Sequence, residues 1–441
     1  MWLNRASRGV NRCACPKRDH PSKVYGDAIR AARYNPAMQT DILILGGGLV
    51  GLTLALALDK AGIASIVVDP ADPEAQLAAA FDGRASAIAS APWKMLTAIG
   101  VAEALVPHGC PIKRIEVRDG LQRDCLDFTP EGDDARDDAF LGMMVENRIV
   151  RQALHEAVGK APHITLLSKT KAEVTRSESG VTATLSSGET IKARLLVAAE
   201  GRNSPTRAAA GLNTANWAYP HTAIISAINH SIPHANVAHE IFYPAGPFAL
   251  LPMLPGDRSA LVWTVDTKDA AGVLALNETA FAAEVRKRMG GILGEISIAA
   301  PRSSYPLSFH HAATITAERL ALVGDAAHGI HPIAGQGLNL GFRDVAALVE
   351  VLVEGARLGL DYGDAQGLAR YQRWRSLDTL MVAGATDSLT RLYGLKGRVP
   401  QGIRRFGMRA IQRIAPLKSL LMSEARGESG ALPKLLMGEL V

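Results

Sequence analysis

Gly46-Gly47-Gly48-Leu49-Val50-Gly51 has the G-x-G-x-x-G spacing that lets a backbone come close to a phosphate. Gly46 permits the tight turn, Gly48 lets a pyrophosphate approach, and Gly51 lets a helix pack closely on a strand. Asp69 stands 18 residues beyond Gly51, where an acid would accept hydrogen bonds from ribose hydroxyls. Taken together these residues read as dinucleotide binding, without specifying the dinucleotide.

A second cluster lies far downstream. Gly324-Asp325-Ala326-Ala327-His328 is followed by His331-Pro332-Ile333-Ala334-Gly335-Gln336-Gly337-Leu338-Asn339-Leu340-Gly341. A strand that ends in Gly-Asp puts a carboxylate at the carboxyl edge of a parallel sheet, where ligands bind. Alone, Asp325 reads as a helix cap. With Gly335 and Gly337 behind it, the turn reads as backbone N–H groups brought against a flat ligand, with Asp325 accepting from a polyol. His328 and His331 read as loop-packing side chains before they read as catalytic ones.

These residues need a scaffold. Asp41–Leu45 and Ala64–Val68 read as buried strands around a helix over Leu49–Lys60, which makes a βαβ unit. Helices are expected over 92–105, Asn147–Val158 and 278–290, and strands over 164–199 with a turn at Ser187-Gly188. Residues 222–266 alternate like a sheet, Ser259–Val265 most clearly. Leu320–Val323 reads as a buried strand that leads into the second cluster and then a long helix to about Glu354. Residues 111–142 are polar, and their acidic run (Asp133, Asp134, Asp137, Asp138) reads as a solvated loop. Everything after 364 reads as helical.

The chain of 441 residues is 48% hydrophobic and 21% charged, which excludes a mostly disordered protein and allows two or three domains. Its four cysteines show no zinc spacing and cannot form a disulfide framework, so a reducing compartment is expected. The net charge of +5 is local rather than general. Residues 1–37 alone sum to +6, and Arg391–Lys418 holds eight basic residues and no acid. A nucleic-acid binder would spread positive charge over a folded face, so none is expected as a partner. Residues 1–37 read either as a disordered tail or upstream start, since Met38 precedes the first strand, or as a mitochondrial presequence. The longest uncharged apolar run, Ile42–Leu58, has 17 residues interrupted by glycines, short of the roughly 20 a membrane span needs.

Three separated patches, GGGLVG (46–51), EGRNSPTR (200–207) and GDAAH…HPIAGQGLNLGFRD (324–344), resemble the class A FAD-dependent aromatic hydroxylases of the para-hydroxybenzoate hydroxylase fold. More narrowly, AHGIHPIAGQGLNLG with GPFALLPMLPGDRSALVW (246–263) is similar to the ubiquinone-biosynthesis monooxygenases. The resemblance covers about residues 39–390. It implies an α/β fold: an FAD-binding, Rossmann-like three-layer domain with an inserted substrate-binding β-sheet and a helical C-terminal region. On that pattern, 1–38 is the basic extension, 39–212 and 301–363 are the FAD-binding domain, 213–300 is the substrate domain and 364–441 the helical region.

The resemblance also implies roles. Gly46, Gly48, Gly51 and Asp69 would hold the ADP half of FAD. Arg84, in FDGRASAIA, would sit beside the flavin, and Asn147 and Asp325 would contact the ribityl chain. Pro332, Gly335, Gln336, Gly337, Leu338 and Asn339 would lie along the flavin ring, with a helix N-terminus facing the negative charge of its reduced form. The middle patch has Glu200-Gly201 where the family has Asp-Gly, and Ser204-Pro205 reads as a helix start.

The implied activity is hydroxylation of a polyprenylated phenol in ubiquinone biosynthesis. NAD(P)H, a transient co-substrate, would reduce non-covalent FAD, and O2 would give a C4a-hydroperoxyflavin that donates oxygen to the ring. Alternatives are a hydroxylase of a small soluble aromatic and a non-catalytic FAD-holding subunit of a biosynthetic complex. There is no second G-x-G-x-x-G, no G-x-S-x-G, H-E-x-x-H or P-loop, and no W-x-W-x-I-P of the related halogenases. No catalytic side chain or metal ligand is assigned, because the cofactor carries the chemistry. Phe242, Phe248, Leu250, Leu251, Met253 and Trp263 are candidates for an apolar pocket, although each alone reads as core. Ile403, Phe406, Ala410, Ile411 and Ile414 recur at helical spacing opposite Arg404, Arg405, Arg409 and Arg413. That basic amphipathic helix suits an anionic membrane surface or a biosynthetic complex there. The expected location is cytoplasmic and peripheral on the inner membrane, or the mitochondrial matrix if 1–37 is a presequence.

Overall fold

Ile42–Leu45 is aliphatic and buried at every position, a pattern that suits a strand covered on both faces. Ser65–Val68, Leu195–Ala198 and Leu320–Leu322 share it. In the computed structural model, which describes residues 37–77, 83–122, 125–130, 139–329, 336–376, 378–379 and 411–441, these strands form one sheet. Its order is Thr316–Ala317, Leu320–Leu322, Leu195–Ala198, Ile42–Leu45, Ser65–Val68, Ile164–Leu167, and all neighbours are parallel except the first pair.

Helices cover one face of this sheet. Leu49–Lys60 starts and stops where its sequence pattern does, and eight of its consecutive residues are buried. It packs against Asn147–Val158 and the long helix Gln336–Arg357. On the other face, Ala172–Ser177, Gly180–Leu185, Thr190–Ala193 and Met38–Gln39 form a four-stranded sheet. Its inward residues Val181, Ala183, Leu185 and Ile191 join the same core. The result is the expected three-layer α/β domain.

A nine-stranded, mostly antiparallel sheet stands beside it. Its centre is Thr214–His230, Arg258–Asp266, Gly246–Met253 and Val237–Tyr243. Strand alternation gives this sheet two unlike faces. Phe248, Leu250, Leu261 and Trp263 pack on Phe281, Val285 and Met289 of the helix Glu278–Met289. That helix ends at Gly290, whose φ of +65° is the left-handed conformation of a C-terminal cap.

The sheet also draws strands from outside 213–300. Ser303–Ala312 pairs with Thr214–His230, and Arg114–Asp119 pairs in parallel with Val237–Tyr243. Residues 111–142 are therefore not one polar loop. They contain Arg114–Asp119 and Cys125–Phe128 in this sheet, and Cys110–Ile112 pairs with Gly142–Glu146 in a small one. The acidic run at 133–138 lies outside the described residues. The expected helix over 92–105 is two, Ser90–Ala98 and Ala102–Leu105, parted at Gly100, which takes φ +82°.

Beyond 364, the described residues are helical over 365–376, 378–379, 411–413, Ala415–Ala425 and Lys434–Met437, whereas 426–433 and 438–441 are not helical. Leu435 and Leu436 are buried in the core of the first domain. Among the described residues no helix is long and apolar enough to cross a membrane.

Candidate active site

Four strands of the parallel sheet deliver their carboxyl ends to one edge. Leu45 leads into Gly46, Val68 into Asp69, Ala198 into Ala199-Glu200, and Leu322 into Gly324-Asp325. Such an edge is where open α/β sheets bind ligands.

At the first strand end the glycines are required by geometry. Gly46 has φ +107°, and a Cβ there would lie 2.4 Å from the Ala199 carbonyl oxygen. A Cβ on Gly51 would lie 1.9 Å from the Gly46 carbonyl oxygen. Gly48 caps the helix Leu49–Lys60 with no side-chain hydrogen bond, so the orphan N–H groups of its first turn are left for an anion. Asp69 sits beside this turn. Its carboxylate accepts from the Gly47 N–H and, at 2.7 Å, from the Ala71 N–H. A carboxylate has about four acceptor sites, so two remain for ribose hydroxyls.

The Asp325 turn is held by its surroundings rather than by its own side chain. His310 Nε2 donates to the Asp325 carbonyl at 2.7 Å, and Arg207 donates to the Ala326 carbonyl at 2.8 Å. Beneath, Asp344 of the long helix accepts from the Gly324 N–H at 2.8 Å, from His328 Nε2 at 2.7 Å and from Arg375 Nε at 2.6 Å. Burial pushes the Asp344 carboxyl up, but His328 and Arg375 overcome it and hold the group below the usual carboxylate range. His328 is thus a packing residue, 2% exposed. The Asp325 carboxylate is exposed toward the cavity and bonds no described residue.

One cavity of about 900 Å³ joins these elements. It runs from Gly48 past Arg84, Asn147 and Asp325 to Gln336, Gly337, Leu338 and Asn339. Gly46, Gly51 and Asp69 do not line it, and Pro332, Gly335 and His331 lie outside the described residues. Asn147 accepts from Ser86 Oγ at 2.6 Å, and its N–H donates to the Arg84 carbonyl at 3.0 Å. Asn339 is committed to structure: its amide bonds Ala87 and Ala89, both at 3.0 Å, and clips the strand Ala85–Ala89 to the long helix.

Glu200 does not line the cavity. Its carboxylate accepts from Ser204 Oγ at 2.6 Å and the Thr206 N–H at 3.2 Å, while Ser204 Oγ accepts from the Arg207 N–H at 3.1 Å. The middle patch is therefore a helix cap that aims Arg207 at the Asp325 turn.

The cavity continues along the large sheet, but not along the bulky residues expected there. Of those six, only Leu251 lines it. Phe248, Leu250 and Trp263 face the helix side, Met253 packs with Cys110 and Met144, and Phe242 packs with Val117. The wall is the opposite face: Ala238, Glu240, Ala249, Ala260, Val262 and Thr264. Tyr305, on the strand Ser303–Ala312 of the same sheet, is raised above the usual phenol range by burial, with Arg202 and Arg84 pulling it back. Glu240, Tyr305, Arg202, Arg207, His310, Asp344 and Arg375 are the site residues that motif reading passed over. They lie on elements far apart in the chain, and only the Gly-Asp turn hinted that something must hold it.

The glycine turn, the helix start without a side-chain cap, the Asp325 carboxylate that bonds no described residue and the cavity that reaches both Gly48 and Asp325 fit an extended dinucleotide with a flat ring. Fold and site together define a dinucleotide-binding flavoprotein of the monooxygenase type. The chain belongs to the FAD binding domain family, whose model matches residues 39–378, and within it to the FAD-dependent hydroxylases of ubiquinone biosynthesis. It is 45% identical to the ubiquinone hydroxylase UbiL of Rhodospirillum rubrum, over 90% of this chain and 92% of that one. It is 33% identical to the 3-demethoxyubiquinol 3-hydroxylase of Escherichia coli, over 88% of this chain and 98% of that one. The fold is that of p-nitrophenol 4-monooxygenase PnpA from Pseudomonas putida, with a TM-score of 0.72 at 17% identity, over 90% of this chain and all of that one.

Proposed function

We propose that the protein hydroxylates a ring carbon of a polyprenylated phenol on the route to ubiquinone, with NAD(P)H as reductant and O2 as oxidant. The observation that carries this reading is the wall of small apolar side chains facing the same cavity as Gly48, Asp325 and Gln336–Asn339. Such a wall accepts a flat, greasy ring and keeps water away from it. The two relatives act on ubiquinone or its precursor by name, which supports the same substrate class here.

FAD, when bound, supplies oxygen activation after reduction by NAD(P)H. The chain's own residues bind and orient. The first glycine turn and Asp69 would hold the ADP half, Asp325 and Asn147 would contact the ribityl chain, and Arg84 would sit beside the flavin. The start of the long helix, at Gln336–Leu338, would offer backbone N–H groups and the positive end of its dipole to the reduced ring. The sheet wall holds the substrate ring flat and dry. The prenyl tail partitions into lipid, and the basic stretch 391–418 is the segment proposed to meet that surface or a biosynthetic complex on it.

The test is turnover by purified, FAD-loaded protein. A short-chain prenylated phenol should trigger NAD(P)H oxidation and yield a product carrying one oxygen from isotopically labelled O2. Turnover of only unprenylated phenols would replace this reading with that of a small-aromatic hydroxylase. No substrate-dependent oxidation with any phenol would leave an FAD-holding subunit.

A further inference from the structure

Along the strands Val237–Tyr243, Gly246–Met253 and Arg258–Asp266 the cavity wall is apolar except at two positions. Thr264 presents a hydroxyl that is buried without a hydrogen-bond partner. Glu240 presents a carboxyl group from the middle of the strand Val237–Tyr243, between Val117 and Ala249 on the neighbouring strands. Among the described residues nothing bonds that carboxyl, and burial alone pushes it up to about 7.

The surroundings explain this isolation. On Arg114–Asp119 the side chains of Arg114, Glu116 and Arg118 alternate to the other face, where Glu116 and Arg118 pair at 2.7 Å and Glu116 meets His239 at 3.4 Å, whereas the buried Asp119 shares the face of Val117 two residues farther along, opposite Phe242. Gly246–Met253 carries no titratable residue, and Arg258–Asp266 offers Thr264 on the cavity side. The other titratable groups that line the cavity are Arg84, Arg202 and Asp325, with Tyr305 on the strand Ser303–Ala312 of the same sheet. A half-buried carboxyl that no described residue bonds is costly to keep against an apolar wall, and a site built to bind a hydroxyl is where such a cost is repaid.

We propose that Glu240 accepts a hydrogen bond from the ring hydroxyl of the substrate and so selects which ring carbon faces the flavin. This rests on the phenolic reading above. A carboxylate with a raised pKa is a stronger base, and a better acceptor for a phenol of pKa about 10, than an ordinary one. No bond is broken in this contact. The carboxylate form that accepts best prevails as pH rises through about 7.

The test is calorimetric titration of the FAD-loaded protein with a short-chain prenylated phenol and with its O-methyl ether, at about pH 6 and about pH 8, on either side of the carboxyl's titration. Wild type should bind the phenol at least about tenfold more tightly than the ether at the higher pH, and the preference should shrink at the lower. Glu240→Leu should erase the preference at both, with unchanged FAD content, and should give mixed ring isomers in turnover. Glu240→Gln should keep a reduced preference that no longer depends on pH. If Glu240→Leu or Glu240→Gln behaves as wild type, Glu240 is not the acceptor. If wild type binds phenol and ether equally, the proposal also fails while the prenylated-substrate reading stands. If it binds neither, the phenolic reading falls and takes this proposal with it.

Discussion

Asp344 and His328 share a 2.7 Å hydrogen bond in the interior, and the same carboxylate oxygen accepts the Gly324 N–H at 2.8 Å. The turn that displays Asp325 is therefore fastened from below by an acid on the long helix. Arg375 completes the cluster from a third element.

Asp344→Asn should strip Arg375 and His328 of their shared anion. Breaking a buried pair from one side costs about 3–5 kcal/mol, so the thermal midpoint should fall and FAD should be lost with it. The pH dependence has a defined sign. Because the folded-state pKa of Asp344 is depressed, its contribution is present above the ordinary carboxyl range and is lost as pH falls below it. Thermal scans of both proteins should converge only in that acid range.

Asp325→Ala should behave differently, because this carboxylate faces the cavity and supports no described neighbour. FAD affinity should weaken by roughly 1.5–3 kcal/mol, the worth of hydrogen bonds to a charged acceptor, measured by flavin fluorescence titration. The apoprotein's unfolding midpoint should stay put, and a matching drop there would make Asp325 structural.

Glu200→Ala removes the acceptor for Ser204 Oγ and the Thr206 N–H. A lost helix cap costs about 0.5–2 kcal/mol. Chemical denaturation should register that loss, with FAD still bound at full stoichiometry. Loss of flavin without loss of stability would place the carboxylate on the cofactor instead.

Ala249→Phe puts a bulky ring on the cavity face of the large sheet. FAD content should be unchanged, whereas KM for a prenylated phenol should rise by roughly tenfold or more, since pocket volume is discriminated at about 1–3 kcal/mol per small group. Steady-state kinetics with prenylated and unprenylated phenols should show the larger effect on the former.

The basic stretch 391–418 lies mostly outside the described residues, so its prediction is a sequence prediction. Each Lys or Arg near an anionic surface adds about 1 kcal/mol, screened by salt. Replacing Arg404, Arg405, Arg409 and Arg413 with Gln should weaken salt-sensitive binding to anionic liposomes while leaving FAD content intact. Equal liposome binding at low salt would remove the membrane role.

The glycine turns and their strands were legible because backbone geometry dictates residue type there. A Cβ at Gly46 or Gly51 meets backbone at bonding-like distances, so sequence and structure agree at those positions. The cavity wall was not legible in the same way. Size suggested Phe248 and Trp263, but which face a strand residue takes depends on register, and the helix Glu278–Met289 claims the bulky face. Arg114–Asp119 carries an Ile115/Val117 alternation that marks a strand. Its charges disguised it, because Arg114, Glu116 and Arg118 pair along one face of the strand, and Arg114 also pairs with Asp127 on the next. The Asp344 cluster was hidden for a different reason, since its partners lie 16 and 31 residues away.

The helix Lys434–Met437 adds to the first domain's core. Leu435 and Leu436 fill the core beside the helix Ser90–Ala98 and the long helix, and the Lys434 N–H donates to Glu350 at 2.7 Å. Glu428 accepts from Ser90 at 2.7 Å, and Ala425 both lines the cavity and receives Gln336. The stretch 425–436 therefore touches the cavity wall at Ala425 and the first domain's core at Leu435 and Leu436, so loosening it would disturb the core and the cavity together.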